Sequence, residues 1–299
     1  MPNVKFKSYL HLHFLVFIAG FTAVLGDLIS IGAVELVWFR MVMASLLMFI
    51  YLILTRGWFS VSRKQYLFYA IAGFCIALHW ITFFESIKRA NVSIALSMFS
   101  CGAFFASIIE PLFFKRRLRI YELFFGLLVV FGVILITRSE LQYLDGIIIG
   151  ISSALFSTLF SVMNGKFINT NNNATAISLI EFVFGIAFIS IYLLIKGNLL
   201  DASFFNLVPS DWLYLFLLAS VCTAYAFIAA MNIMKHLSPY TVVLSYNLEP
   251  VYGILLALWI FPEQEKMSFQ FYIGALLILG VIMANGILTR RRKYLPVQS

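Results

Sequence analysis

The chain has 299 residues, 62% of them hydrophobic and only 11% charged, with a mean hydropathy of +0.97. A soluble globule carries roughly 25% charged residues, so this balance excludes a water-soluble domain and predicts an all-α integral membrane protein. The net charge of +8 is spread over short basic clusters between apolar runs, which mark topology and do not form a groove, so no nucleic-acid partner is expected. The opening stretch, MPNVKFKSYLHLHFLVFIAGFTAVLGDLIS, joins a basic start to a long apolar run without a small-x-small cleavage site, and reads as an uncleaved first span. Runs of about 20 apolar residues, enough to cross the hydrocarbon, then follow in order. The ten predicted spans are 10–30, 34–55, 66–87, 92–113, 120–138, 145–167, 174–195, 211–233, 240–261 and 268–289.

Ionisable residues at membrane depth are costly and usually face a cavity or a partner. The second span carries Arg40 roughly two turns inside, and the seventh carries Glu181 at the matching place, since AVELVWFR at 33–40 aligns with ATAISLIE at 174–181. These two read either as gate charges on opposite faces or as locally paired groups. His79 and Trp80 lie in LHWITFF, past the middle of the third span. The imidazole either carries protons near neutral pH or is a neutral ring bonded to a backbone carbonyl; Trp80 either stacks on a ligand or packs. Glu110, beside Pro111 and near Lys115, reads as a snorkelling carboxyl, and Asp27, Glu35 and Glu85 as solvated groups near the outer surface. GIIIG at 146–150 is a small-residue helix contact. Asn164, Asn232, Asn247 and Tyr225 either add hydrogen bonds to a cavity or join helices. The three cysteines, Cys75, Cys101 and Cys222, fall inside apolar runs without metal-ligand spacing and read as packing residues.

The ninth span holds SYNLEPVYG, residues 245–253. Glu249 lies about 14 Å into the span at 1.5 Å per residue, near the midplane. Pro250 has no N–H to donate to the Tyr246 carbonyl, so a kink is expected there. Tyr246, Pro250 and Gly253 share a helix face with Glu249. The stretch reads as a polar notch in a cavity helix, or else as a structural carboxyl stapling two helices.

If the N-terminus is cytoplasmic, the inner segments collect Lys5, Lys7, Arg56, Arg63, Lys64, Lys115, Arg116, Arg117, Arg119, Lys166, Lys235 and Arg290 through Lys293, whereas the outer ones hold Lys88, Arg89, Arg138, Lys196 and Lys266. The positive-inside rule then puts both termini in the cytoplasm. A shift of 148 residues lays LSMFSCGAFFASIIEPLFF (96–114) on LSYNLEPVYGILLALWIFP (244–262), and GLLVVFGVI (126–134) on GALLILGVI (274–282). The expected organisation is therefore two five-helix repeats, 1–141 and 142–299. Five being odd, they are inverted, which is a secondary-transporter architecture with its site where the halves meet.

These repeats, with ALHWITFFESIKRANVSIA and SYNLEPVYGILLALWIFPEQEKMSFQFYIGALLILGVIMA, resemble the EamA family of the drug/metabolite transporter superfamily over nearly the whole chain. The resemblance implies a transporter, typically an exporter of amino acids or other small metabolites that uses the proton gradient. The first half departs from the family pattern: Gly102 stands where a mid-span proline is usual, Pro111 comes later, and KRRLR replaces the usual Gly-Glu ending. The expected kink is therefore unequal between the halves.

No HExxH, GxSxG or nucleotide-binding loop is present, so no catalytic site, metal or cofactor is expected. The expected function is alternating-access export of a small-molecule substrate from a multi-pass protein of the cell membrane, surrounded by the lipid bilayer. Glu249 would bind an amine or exchange a proton, assisted by His79, and Tyr246, Pro250, Gly253, Trp80 and Tyr225 would complete the site. A passive facilitator, or an intramembrane enzyme or sensor using the carboxyls and histidine as acid and base, are the alternatives.

Overall fold

The structure, a computed structural model, describes all residues except 1, 58–60, 116, 118–119, 166–172, 235, 238–241, 243–244, 247 and 294–299, and the described residues form helices without strands. The α-helices are α1 (Pro2–Leu28), α2 (Ala33–Thr55), α3 (Arg63–Arg89), α4 (Val92–Phe99), α5 (Gly102–Phe114), α6 (Ile120–Ser139), α7 (Leu144–Gly165), α8 (Ala174–Lys196), α9 (Pro209–Ala219), α10 (Ala226–Met234), α11 (Glu249–Ile260) and α12 (Phe269–Lys293). A π-helical turn, Ser220–Tyr225, joins α9 to α10. Among the described residues, seven segments are long and apolar enough to cross a membrane, including α4 with α5 as Val92–Phe114 and α9 with α10 as Pro209–Ala230. Three shorter apolar helices accompany them: Leu123–Ser139, Glu249–Ile260 and Phe269–Ala284.

Two predicted spans are broken rather than continuous. The fourth stops at Phe99 and restarts at Gly102, with Cys101 N donating to Met98 O (3.0 Å) and Ala103 N to Ser100 O (3.3 Å) in a tightened i→i−3 turn. The Ser100 hydroxyl donates to Leu96 O (3.0 Å), a back-bond that bends helices. In the ninth, α11 begins at Glu249, so Pro250 sits in a first turn, where its missing N–H is not needed, and not at a mid-helix kink. Here Leu248 N donates to Ser245 O (3.0 Å), again i→i−3. Under the 148-residue shift, Ser100 and Gly102 correspond to Leu248 and Pro250. Both halves therefore break at the same place, and the first does so without a proline, contrary to the unequal kink expected from sequence.

The helices cross through glycine notches. A Cβ on Gly20 of α1 would come within 2.7 Å of Gly253 N on α11, and one on Gly185 of α8 within 3.0 Å of Gly73 O on α3. Gly132 of α6 and Gly274 of α12 face each other reciprocally, each denying a Cβ to the other at 3.1 and 3.0 Å from the opposing carbonyls. With no hydrophobic drive between helices inside lipid, such close approach supplies the van der Waals contact that holds them. Gly146 and Gly150 of the GIIIG stretch seat α7 against Ala90, Met98 and Ser86, and Ser86 Oγ donates to Gly146 O (2.7 Å).

Buried carboxylates stitch the connections. Glu265, in the α11–α12 loop, accepts from Val92 N (2.8 Å) and Ser93 N (2.9 Å). The Asn91 side chain accepts from Ile94 N (2.9 Å), so the three open amides of the first α4 turn, Val92, Ser93 and Ile94, are all bonded, and the Asn91 carbonyl takes the first helical bond from Ala95 N (3.1 Å). Glu140 accepts from Ser268 N (2.9 Å), tying the α6–α7 connection to the start of α12. Neither carboxylate stood out in the sequence, because both lie near span ends where charge is ordinary.

Candidate functional site

A cavity of about 410 Å³ lies among the helices and draws its walls from both halves of the sequence. The first half contributes Thr22 of α1, Arg40 of α2, His79, Trp80 and Phe83 of α3 and Phe99 of α4. The second half contributes Ser157, Phe160 and Asn164 of α7, Thr175 and Ser178 of α8, Phe227 of α10, Tyr246 and Glu249. The matching helices α6 and α12 contribute no wall. The lining reaches Asn164 in the last turn of α7 and Ala174 in the first turn of α8, so the cavity extends to that end of the bundle.

The opposite end is shut. Asp211, 1% exposed, accepts from Ser30 N (2.9 Å) and from the Ser30 hydroxyl. Lys88 Nζ donates to Ile29 O (2.8 Å), and Trp38 Nε1 to Ser190 Oγ (2.9 Å). Five rings pack beside these bonds: Trp38, Phe39, Phe204, Phe205 and Trp212. Nothing in the sequence singles out Asp211, because it stands at the first residue of a predicted span, where an acid is ordinary.

Arg40 is 4% exposed, and its guanidinium lies 3.9 Å from the centre of the Trp80 ring. Its Nε donates to Thr223 Oγ1 (2.8 Å), and that hydroxyl donates to Leu218 O (2.7 Å), five residues back. The i→i−5 bond belongs to the π turn, which brings Thr223 under Arg40; π turns often mark functional sites. Nothing in the composition of SVCTAY foretells this change of register. A desolvated cation over an indole gains about 2 kcal/mol, so Trp80 and Thr223 together steady the charge.

His79 ties α3 to α7. Its Nδ1 lies 2.8 Å from Ser153 Oγ and 3.2 Å from Ser153 O, while Ser153 Oγ donates to the His79 carbonyl (3.0 Å). With the Ser153 proton directed at that carbonyl, Nδ1 must be the donor, which leaves Nε2 as a lone-pair acceptor. The ring stacks on Phe99, with centroids 5.2 Å apart. Glu249 is half-buried on the cavity wall, and among the described residues its carboxylate accepts no hydrogen bond.

The remaining expected site residues are scattered. Gly253 is in the α1 crossing and Pro250 is buried behind Glu249, both outside the lining. Tyr225 is 40% exposed with its hydroxyl 2.7 Å from His11 Nε2, away from the cavity, because the π turn rotates it outward. Neither Arg40 nor Glu181 stands at an opening: Glu181 is 1% exposed, behind the wall formed by Asn164. Asn232 is exposed, and Asn247 lies outside the described residues. Glu85, by contrast, forms an exposed pair with Arg89 (2.6 Å).

The sequence profile of the EamA-like transporter family matches residues 7–138 and again 144–286. The chain belongs to the EamA-like transporter family. With its apolar helices, this makes it a multi-pass membrane protein of a transporter family built from two repeats. A solved protein crystal structure of 18% identity aligns over 96% of this chain and 99% of its own, with a TM-score of 0.64, so the two share a fold. No curated protein matches the chain.

Proposed function

We propose that this EamA-family chain is a secondary transporter that moves a small metabolite, such as an amino acid, across the cell membrane by alternating access. In this reading ten spans form two inverted five-helix repeats. One observation carries it: a single cavity holds a guanidinium from the first repeat, Arg40, and a carboxylate from the second, Glu249, which no ion pair joins. Unpaired charges in a low-dielectric interior cost several kcal/mol. Walls so charged suit a solute that carries an acid toward Arg40 and an amine toward Glu249, with the rings of Phe83, Phe99, Phe160 and Phe227 around its apolar part. The mid-span breaks at Ser100 and Leu248 favour the same reading, since inverted-repeat transporters bind at interrupted helices. The basic clusters make the end between α7 and α8 the cytoplasmic one, so this conformation accepts solute from inside, as an exporter requires.

In this reading proton and substrate compete for Glu249, which gives antiport from one site. The test is a metabolite screen in proteoliposomes, with and without an imposed pH gradient. Glu249→Gln keeps size and hydrogen bonding but cannot titrate; it should lose gradient-driven accumulation and retain solute-for-solute exchange. Gradient-independent flux in the wild type would reduce the protein to a passive facilitator. Unchanged gradient dependence in Glu249→Gln would remove this residue as the coupling group.

A further inference from the structure

Behind the cavity wall, Asn164 Nδ2 donates to Glu181 Oε2 (3.2 Å). The other oxygens of the same two planar groups, Glu181 Oε1 and Asn164 Oδ1, are buried and have no hydrogen-bond partner. Both are acceptors, so neither can satisfy the other as drawn. A buried polar atom left unpaired costs about 1–3 kcal/mol, and here two such atoms belong to one bonded pair. A single proton on Glu181 Oε1 eases the conflict: it turns that acceptor into a donor, which can pair with the Asn164 carbonyl oxygen once the two planar groups align.

Among the described residues no other group bonds these two oxygens. Glu181 sits where α8 meets α3 through Gly73 and Gly185, and a Cβ on Gly73 would overlap the Glu181 backbone carbonyl, so the helix that carries the carboxyl is held close to α3. The titratable groups on the helices packed against α8 are Glu35, Arg40 and Tyr51 on α2 and Tyr66, Tyr69, Cys75, His79, Glu85, Lys88 and Arg89 on α3 beyond its first turn, with Glu249 across the cavity. Arg40 is engaged by Thr223 and Trp80, and His79 by Ser153. Arg63 and Lys64 stand exposed at the start of α3, α10 has no titratable side chain, and α7 has only Asp145 at its far end.

We propose that Glu181 and Asn164 form a proton-binding site, separate from Glu249, in which Glu181 is the neutral acid in this conformation. When α7 and α8 part enough to wet the pair, the O–H bond of Glu181 breaks, the proton passes to water, and the carboxylate is solvated; closure reverses the step. Its use as a second coupling site rests on the transporter reading. The proton site itself does not.

Infrared difference spectra of the purified protein between neutral and alkaline pH test it without any substrate. The wild type should show a protonated-carboxyl carbonyl band that is lost in Glu181→Gln and kept in Glu249→Gln. Asn164→Leu, which removes both amide partners, should move the same band toward the position of an unbonded acid. A wild-type spectrum unaltered by Glu181→Gln would overturn the proposal. If that variant fails to fold, an unmoved band in Asn164→Leu would overturn it equally. Absence of flux in the wild type would defeat the transporter reading and leave the band, and the proton site, standing.

Discussion

Replacing Glu265 by alanine should cost the fold more than its loop position suggests. The carboxylate accepts from Val92 N at 2.8 Å and Ser93 N at 2.9 Å, and both residues are fully buried. Alanine leaves two buried donors unpaired, at about 1–3 kcal/mol each. Part of this is returned, because the variant no longer buries a charge; a net loss of about 2–4 kcal/mol results. At roughly 2–4 °C per kcal/mol for a large chain, the melting temperature in detergent should fall by about 4–16 °C. Glu265→Gln keeps one acceptor oxygen and should lose about half as much. The pH dependence has a definite sign. Burial pushes the Glu265 carboxyl up, more than the Ser93 and Val92 donors pull it down. A raised folded-state value means that the folded chain holds the proton more tightly. The advantage of wild type over Glu265→Gln should therefore be largest below the unfolded carboxyl range, about pH 4.3, and shrink as pH rises through the folded value. An alanine variant that melts within about 1 °C of wild type would show that these bonds do not hold α4 to the α11–α12 loop.

Two further substitutions probe packing and the cavity. Gly73→Ala should lower the yield of folded protein, since its Cβ meets the backbone carbonyl of Glu181, which cannot rotate away; an overpacked contact of this kind costs about 1–3 kcal/mol, and wild-type thermal stability would refute the rigid crossing. Arg40→Lys keeps the charge but loses the planar stack on Trp80 that holds the cation in place, so solute affinity should fall by up to about 30-fold for a contact worth up to about 2 kcal/mol, measured by binding to the purified protein; equal affinity would show that only charge matters at Arg40.

Much of the architecture is legible in the sequence because the bilayer leaves little choice: long apolar runs become helices, and ionisable residues inside them are conspicuous. Arg40, His79 and Glu249 stand out for that reason, Trp80 and Tyr246 as their polar-tipped neighbours in sequence or on the helix face, and the structure gathers them around one cavity. Features set by backbone register leave no such trace. The π turn at Ser220–Tyr225 supplies Thr223 and turns Tyr225 outward, yet its residues are ordinary helix residues. The break at Ser100 is equally hidden, since a serine back-bond does there what Pro250 accompanies in the other half. Gly253 leaves two readings open in sequence, close approach of a ligand or of another backbone, and here it admits the α1 backbone at Gly20 together with the Leu96 side chain of α4.

The shut end of the cavity has an energetic consequence for the proposed cycle. Ser30, Asp211 and Lys88 make three bonds there, each involving a charged group, beside a cluster of rings. Opening that end exchanges these bonds for water. A net difference of about 4 kcal/mol, modest for three such bonds, leaves roughly one molecule in a thousand turned the other way. An unloaded protein would then rest facing one side almost all the time. Whatever drives it across must bind the rarer conformation more tightly by a comparable margin. The step that limits turnover would accordingly be this reorientation, and flux would track the strength of the Ser30–Asp211 contact more closely than the affinity of the cavity for its cargo.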